Sequence, residues 1–216
     1  MDWSVLLVKL SEGMLTSVEI FVLTLLFSLP LGLFVAFGRM SRNTIVKNVT
    51  KVYISILRGT PLILQLMLVY FGPYYIFGVR TPKGYRFLAT IIGFVLNYAA
   101  YFAEIYRAGI ESMPVGQYEA ARVLGYNKTQ TFIKIILPQV IKRILPPVTN
   151  EVITLIKDTS LAFVISVGEM FTAAKAIASA QRSTLPFVAA GIFYYVFNFI
   201  VAVAMEWLEK KFSYFQ

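Results

Sequence analysis

Five stretches of the chain are long and apolar enough to cross a lipid bilayer. A span needs about 20 mostly apolar residues, because the hydrocarbon layer is about 30 Å thick and a helix rises about 1.5 Å per residue. The stretches cover residues 16–37, 53–71, 87–106, 148–167 and 187–208. Hydrophobic residues make up 58% of the chain, more than an aqueous surface tolerates. The sequence therefore predicts an all-α integral membrane protein in which residues 1–216 form a single transmembrane domain with five helices.

The distribution of basic residues predicts the orientation. Of the 20 Lys and Arg residues, thirteen lie on the side that holds the C-terminus, six lie on the other side, and Lys157 falls inside the fourth stretch. Positive charge is retained in cytoplasmic loops, so the C-terminus is predicted to be cytoplasmic and the N-terminus outside. The formal charge of +9 is scattered between apolar stretches and does not form one basic face, which argues against a nucleic acid partner.

The chain contains neither cysteine nor histidine. Disulfides, thiolate chemistry, the usual general base and the commonest metal ligand are therefore excluded. We predict no catalytic residue and no metal site. The N-terminal apolar run is longer than the core of a signal peptide, so we expect it to remain as a membrane span.

One long polar segment, residues 111–142, lies between the third and fourth stretches and is predicted to be cytoplasmic. Its helix start and stop signals predict two short helices. Pro114 suits a first turn, Gly125 a left-handed C′ position, Asn127 an N-cap, and Pro138 the next boundary. Two apolar patches are expected, formed by Ala120, Ala121 and Leu124 and by Phe132, Ile133, Ile136 and Leu137. The pattern fits a hairpin lying passively on the membrane surface as well as a unit that docks on another protein.

The exact residues of this segment favour docking. Their order, E-A-A, three residues, G, nine residues, then I-x-L-P, resembles the signature of ABC importer permease subunits. The matching positions are Glu119, Ala120, Ala121, Gly125, Ile135, Leu137 and Pro138. The stretches 58–61, 104–107, 116–117 and 157–161 are similar to the polar amino acid branch of that family. The resemblance covers nearly the whole chain.

The resemblance implies a type I ABC importer permease fold in the plasma membrane of a prokaryote. Two five-span subunits, identical or merely similar, would form the pathway, and each would press a coupling helix from residues 111–142 into a dimeric ATPase. An extracytoplasmic amino-acid-binding protein would deliver the solute. Because the chain lacks G-x-x-x-x-G-K-[ST], ATP and Mg²⁺ are expected on the partner ATPase and no cofactor in this chain.

Ionisable groups at membrane depth are costly and mark candidate functional positions. Two predicted spans each present a polar stripe with i, i+3/i+4, i+7 spacing. The stripes are Asn97, Tyr101 and Glu104 in the third span and Glu151, Thr154 and Asp158 in the fourth. Three carboxylates against one intramembrane cation, Lys157, favour a cationic ligand. We therefore expect a basic amino acid such as arginine, lysine or histidine, with Gln65 as a weaker contact.

Local explanations compete with ligand binding at these positions. Glu104 can pair with Arg107 at i+3, and Asp158 can pair with Lys157 or accept from the hydroxyls of Thr159 and Ser160. Glu151 has no basic neighbour at i±3 or i±4. Arg58 is interpreted as an interfacial anchor.

Three other classes of function fit the sequence less well. An ion-coupled secondary transporter could relay protons through the same carboxylates, but no inverted repeat is visible and such a protein does not need the cytoplasmic helical pair. A membrane enzyme lacks a nucleophile motif, and an ABC exporter fits neither the signature nor the short chain.

Overall fold

The computed structural model describes residues 3–82 and 84–212, which form helices and no strand. Lys83, which the orientation count included, lies outside the described residues, as do residues 1–2 and 213–216. In chain order the helices are α1 (Trp3–Arg39), α2 (Thr44–Gly59), α3 (Leu62–Phe77), α4 (Tyr85–Glu111), α5 (Val115–Val123), α6 (Lys128–Thr131), a π-helical turn (Phe132–Ile136), α7 (Leu137–Asp158), a 3₁₀ helix (Thr159–Ile165), α8 (Met170–Gln181) and α9 (Leu185–Lys211).

Three of these helices, α1, α4 and α9, are individually long and apolar enough to cross a membrane. Two further candidates are bent pairs, α2 with α3 and Lys128–Ile165 with α8. The described residues therefore provide three to five spans, depending on whether each bent pair counts as one. The all-helical prediction is confirmed, whereas the number of spans and their orientation stay predictions.

The second predicted span is not one helix. Its axis turns by 110° between α2 and α3. Pro61 causes the break, because its ring disfavours helical geometry in the preceding residue and it has no N–H to donate. Thr60 is accordingly extended, with φ −122° and ψ 148°. The turn carries the end of α2 to the middle of α4.

The fourth predicted span, 148–167, also differs from the structure. α7 begins earlier, at Leu137, and ends at Asp158, where a 3₁₀ helix takes over until the left-handed residue Ser166 (φ 58°). A bend of 58° then leads into α8. Pro138, predicted as the next boundary, is the second residue of α7, and its missing N–H falls where the hydrogen-bond pattern changes from the π-helical turn to α7. The chain stays helical through this boundary.

Helices α1 and α4 pack closely along a row of small side chains. Thr24, Ser28, Gly32 and Ala36 recur every four residues on α1, and all are buried. A Cβ atom on Gly32 would lie 2.9 Å from the Cβ of Phe102 on α4. Close approach of this kind is how helices associate in lipid, where no hydrophobic force drives them together. Gly32 is therefore a packing position between the two helices.

The main core lies between α1, α3, α4, α7 and the 3₁₀ helix. Its fully buried members include Ile20, Leu66, Phe94, Tyr98, Phe102 and Leu155. By contrast, α9 buries little of its length, and Tyr195 on it is 72% exposed. The core thus surrounds the mid-section of α4 and the C-terminal end of α7, where the predicted polar stripes lie.

Candidate functional site

The carboxylate of Asp158 sits at the C-terminal end of α7 and is held from α4. The hydroxyl of Tyr98 donates a hydrogen bond of 2.8 Å to its Oδ2 atom. The local partners predicted for Asp158 are otherwise engaged: the hydroxyls of Thr159 and Ser160 donate to the carbonyls of Ile156 and Lys157. The hydroxyl part of that alternative was wrong, because the 3₁₀ geometry aims both hydroxyls back along the helix; pairing with Lys157 stays a prediction.

Tyr98 was missed by the sequence reasoning, although it is the residue that fixes Asp158. Its side chain is only 2% exposed, and its ring packs between those of Phe94 and Phe102, with centroids 6.4 and 6.2 Å away. A tyrosine one position from the predicted stripe, in an otherwise apolar helix, was the available signal. A buried phenol requires a polar partner for its hydroxyl.

Glu151 lies two turns before Asp158 on α7. It is half-buried, and Arg58 and Asp158 are within electrostatic range of its carboxylate. Thr154, between them on the same face, is also half-buried, whereas Lys157 is exposed. The predicted stripe on α7 therefore exists as one face, and ligand contact by its members stays a prediction.

Arg58 belongs to this site. The 110° turn after α2 brings its guanidinium over the ring of Tyr101, 5.1 Å from the centroid, in a cation–π contact. Arg58 is exposed, and its interpretation as an interfacial anchor stays a prediction. The site thus contains a cation from α2 that is seated on Tyr101 of α4 and lies within electrostatic range of Glu151 on α7.

Glu104 is paired as its local alternative predicted. The Nη2 atom of Arg107 lies 2.6 Å from Oε2 of Glu104, and a second bond from Nε measures 3.1 Å. Arg107 also pairs with Glu111 at 2.5 Å. The charge of Glu104 is therefore largely balanced within α4, which weakens its case as a ligand for a cation.

Gln65 and Asn97 hold the break between α2 and α3. The amide groups of Gln65 and Asn97 both donate to the carbonyl of Leu57, at 2.9 and 3.1 Å, and Asn97 also donates to Oε1 of Gln65 at 3.0 Å. The last carbonyls of a helix need such outside donors. Both side chains are buried and occupied, so the structure gives them a positioning role, and the predicted contact with a ligand stays a prediction.

A cleft of about 590 Å³ lies next to this cluster, between α2, α4 and α7. Pockets of about 300–1,000 Å³ are the usual size for small-molecule ligands. Its polar lining consists of Arg58, Glu104, Ser112 and Arg143. Arg143 joins α7 to the end of α4 by donating to the Ser112 carbonyl at 2.9 Å. The cleft therefore extends from Arg58 toward the coupling segment.

The coupling segment, residues 111–142, bends at the predicted positions. Gly125 has φ 80°, a left-handed conformation that favours glycine, and ends the first helix. Asn127 caps α6 in a reciprocal capping box with Gln130, with bonds of 2.9 and 3.0 Å. These two predictions are confirmed.

The apolar patches of the coupling segment divide differently from the prediction. Ala121 and Ile136 are buried, and Ile136 packs with Met113 and Val140 against the membrane domain. Leu124 is 73% exposed and Ile133 55% exposed. Of the signature positions, Glu119, Ala120 and Gly125 are exposed, while Ile135, Leu137 and Pro138 are half-buried. An inner face anchors the segment, and an outer face is open to a partner.

A membrane domain with ionisable side chains half-buried between its helices and a capped, outward-facing helical pair defines the class: it is a transmembrane subunit of a transport protein. Residues 28–214 match the family described as "Binding-protein-dependent transport system inner membrane component". The chain belongs to this family. It is a permease subunit, and the ATPase of such systems is a separate subunit.

Relatives and a solved structure agree with this family. The chain is 42% identical over 195 residues to an L-cystine transport system permease protein of Bacillus subtilis, covering 88% of this chain and 80% of that protein. It is 37% identical to an octopine transport system permease protein of Rhizobium radiobacter, covering 91% and 84%. A structure titled "Crystal structure of an amino acid ABC transporter with histidines" superposes with a TM-score of 0.85, 32% identity and 94% coverage of each chain. The type I ABC importer permease fold is therefore confirmed.

Proposed function

We propose that this chain forms the translocation pathway of an ABC importer for basic amino acids such as arginine, lysine or histidine. The observation that carries this proposal is the ionic cluster of Glu151, Asp158 and Arg58, in which Tyr98 holds Asp158 and Arg58 lies within electrostatic range of Glu151. The named amino acid transporters among its relatives support the broader substrate class.

The cluster matches the charges of a basic amino acid. Such a ligand carries a cationic side chain, an α-ammonium group and one α-carboxylate. Glu151 and Asp158 supply acceptors for the nitrogen groups, while Arg58 supplies paired donors for the carboxylate. The formal charges of Glu151, Asp158 and Arg58 sum to −1, which a ligand with a net positive charge would balance.

The partners follow from the surfaces of the chain. A dimeric ATPase would receive the outer face of the coupling segment, and its closure on ATP and Mg²⁺ would move α5 and α6 relative to the membrane domain. A second permease copy, identical or similar, would complete the pathway, and a binding protein would deliver the amino acid from outside. The family description supports such a division of labour.

L-Cystine is a second candidate substrate. The relative of 42% identity is named an L-cystine permease, and cystine also carries two ammonium groups. It differs from arginine in having two carboxylates, so its net charge is zero. By contrast, no observation favours the ion-coupled alternative, since the chain belongs to a binding-protein-dependent family.

The test is to co-express the chain with its ATPase and binding protein, reconstitute the complex and compare arginine, cystine and glutamine as stimulators of ATP hydrolysis. We expect arginine to stimulate most and Glu151→Gln to weaken its effect by about tenfold, the cost of about 1.4 kcal/mol in a lost ionic contact. Glu206→Gln is the matched control, because Glu206 is an exposed glutamate on α9. Unchanged arginine affinity in Glu151→Gln, with equal transport of glutamine by the parent, would contradict the proposal.

A further inference from the structure

Helix α2 has three distinct faces, which a rotation of about 100° per residue separates by roughly 90° to 150°. The first face packs against the protein. The hydroxyl of Tyr53 donates to the carbonyl of Leu96 at 2.6 Å. Ile54 is buried against Ala36 on α1 and against Ala100 and Ala103 on α4. Thr50 lies against Gly38. These contacts fix how α2 is rotated about its own axis, so the surroundings of the other two faces are set as well.

The second face is apolar and open. Ile45, Val49, Val52 and Ile56 recur at i, i+4, i+7 and i+11 and are 74%, 63%, 56% and 55% exposed. A membrane protein satisfies such a face with lipid chains or with another protein. The apolar edge runs the whole length of α2, so the helix lies with one long side against its apolar surroundings.

The third face is basic. Lys47 and Lys51 stand one turn apart on it, both exposed, and Arg42 precedes the helix. No acidic residue occurs anywhere between positions 20 and 103 of the sequence, and no ion pair joins Lys47 or Lys51 among the described residues. The first turn of α2 also holds no acidic side chain to offset the positive end of its helix dipole. Asn43 caps the helix by accepting from the N–H groups of Ile45 and Val46, so the groups left for an anion from outside the chain are these cations.

We propose that this surface, formed by Ile45, Val49, Val52 and Ile56 together with Lys47 and Lys51, binds anionic phospholipid of the cytoplasmic leaflet. The apolar face meets the acyl chains, and the basic face meets the headgroups. The angle of roughly 150° between the apolar and basic faces, with protein on the third, suits a helix lying along the lipid boundary of a membrane protein. Anionic lipid attracts basic segments next to the membrane.

A second copy of this chain is a poorer occupant. A two-fold interface presents the same patch from both subunits, so one that used both faces would bring Lys47 and Lys51 of each copy close to those of the other, and one through the apolar face alone would leave the lysines without a counterion. Like charges facing each other oppose association. Phospholipid headgroups carry the opposite charge and thus complement the surface.

The experiment uses the full chain in detergent and measures retained lipid by native mass spectrometry, comparing phosphatidylglycerol with phosphatidylcholine. We expect a preference for phosphatidylglycerol. It should fall about 25-fold in a Lys47→Gln/Lys51→Gln double variant, because each cation near an anionic surface contributes about fivefold to binding. The matched control is Lys9→Gln/Arg80→Gln, which removes two exposed cations from the opposite predicted side of the membrane. It should keep the preference of the parent.

Two results would overturn the proposal. One is equal retention of phosphatidylglycerol by the parent and the Lys47→Gln/Lys51→Gln variant, with both eluting as folded protein. The other comes from Val49→Cys, a clean probe because the chain has no cysteine of its own. Disulfide-linked dimers in most of the Val49→Cys chains, formed by mild oxidation in native membranes, would show that a second copy covers this face.

Discussion

Tyr98→Phe removes one hydroxyl group and so separates the hydrogen bond to Asp158 from the packing of the Tyr98 ring. The ring of Tyr98 is buried between Phe94 and Phe102, and phenylalanine fills the same space. Only the 2.8 Å bond to Asp158 is lost. A hydrogen bond to a charged group contributes about 1.5–3 kcal/mol, which corresponds to about 10- to 150-fold in an equilibrium constant.

The proposed role of Asp158 sets the direction of the effect. Without its donor the carboxylate is free to rotate away from the ligand, so the amino acid concentration that half-maximally stimulates ATP hydrolysis should rise by about 10-fold or more. The assay is ATP hydrolysis by the reconstituted complex over a series of arginine concentrations. Thermal unfolding of the same sample measures the cost to stability.

A matched control separates this effect from the general loss of a buried tyrosine hydroxyl. Tyr53→Phe removes the bond to the Leu96 carbonyl, which lies outside the ionic cluster. It should lower the free energy of unfolding by about 0.5–1.5 kcal/mol and leave the arginine concentration dependence unchanged. If Tyr98→Phe also leaves that dependence unchanged, Asp158 is not positioned for the ligand and the reasoning fails.

Three further changes test other parts of the structure. Arg58→Gln should weaken stimulation by arginine by about tenfold or more and by agmatine, which lacks the carboxylate, much less, as measured in the ATPase assay. Gly125→Pro should uncouple ATP hydrolysis from uptake while ligand binding persists, because the φ of 80° at the bend is closed to proline; loss of binding alone would contradict the assignment. Gly32→Val should cost about 1–3 kcal/mol of stability in thermal unfolding, since its Cβ would meet Phe102 at 2.9 Å, whereas Gly191→Val, with open space around it, should not.

The features that sequence reasoning predicted well are those determined by neighbours in the chain. The left-handed Gly125 and the cap at Asn127 depend on a few adjacent residues, so their signals were complete in the sequence. The apolar stretches of α1, α4 and α9 are likewise local. The E-A-A signature identified the coupling segment, and the family match is consistent with it.

The features that sequence reasoning missed depend on partners distant in the chain. The bond from Tyr98 to Asp158 joins residues 60 positions apart, and the place of Arg58 over Tyr101 depends on the 110° turn at Pro61. Periodicity shows which residues share a face but not which helix that face meets. The inward packing of Ala121 and Ile136 was missed for the same reason, because the membrane domain decides which side of the segment is buried.

The central claim is that this chain transports an amino acid through an acidic site, driven by ATP hydrolysis in a separate subunit. The most direct measurement is uptake of radiolabelled arginine by vesicles that contain the assembled complex with its binding protein. We predict uptake that requires ATP on the side of the vesicle membrane where the ATPase lies. The uptake should persist when a protonophore collapses the proton gradient, and it should weaken in Glu151→Gln. Arginine uptake without ATP that stops on addition of the protonophore would contradict the account.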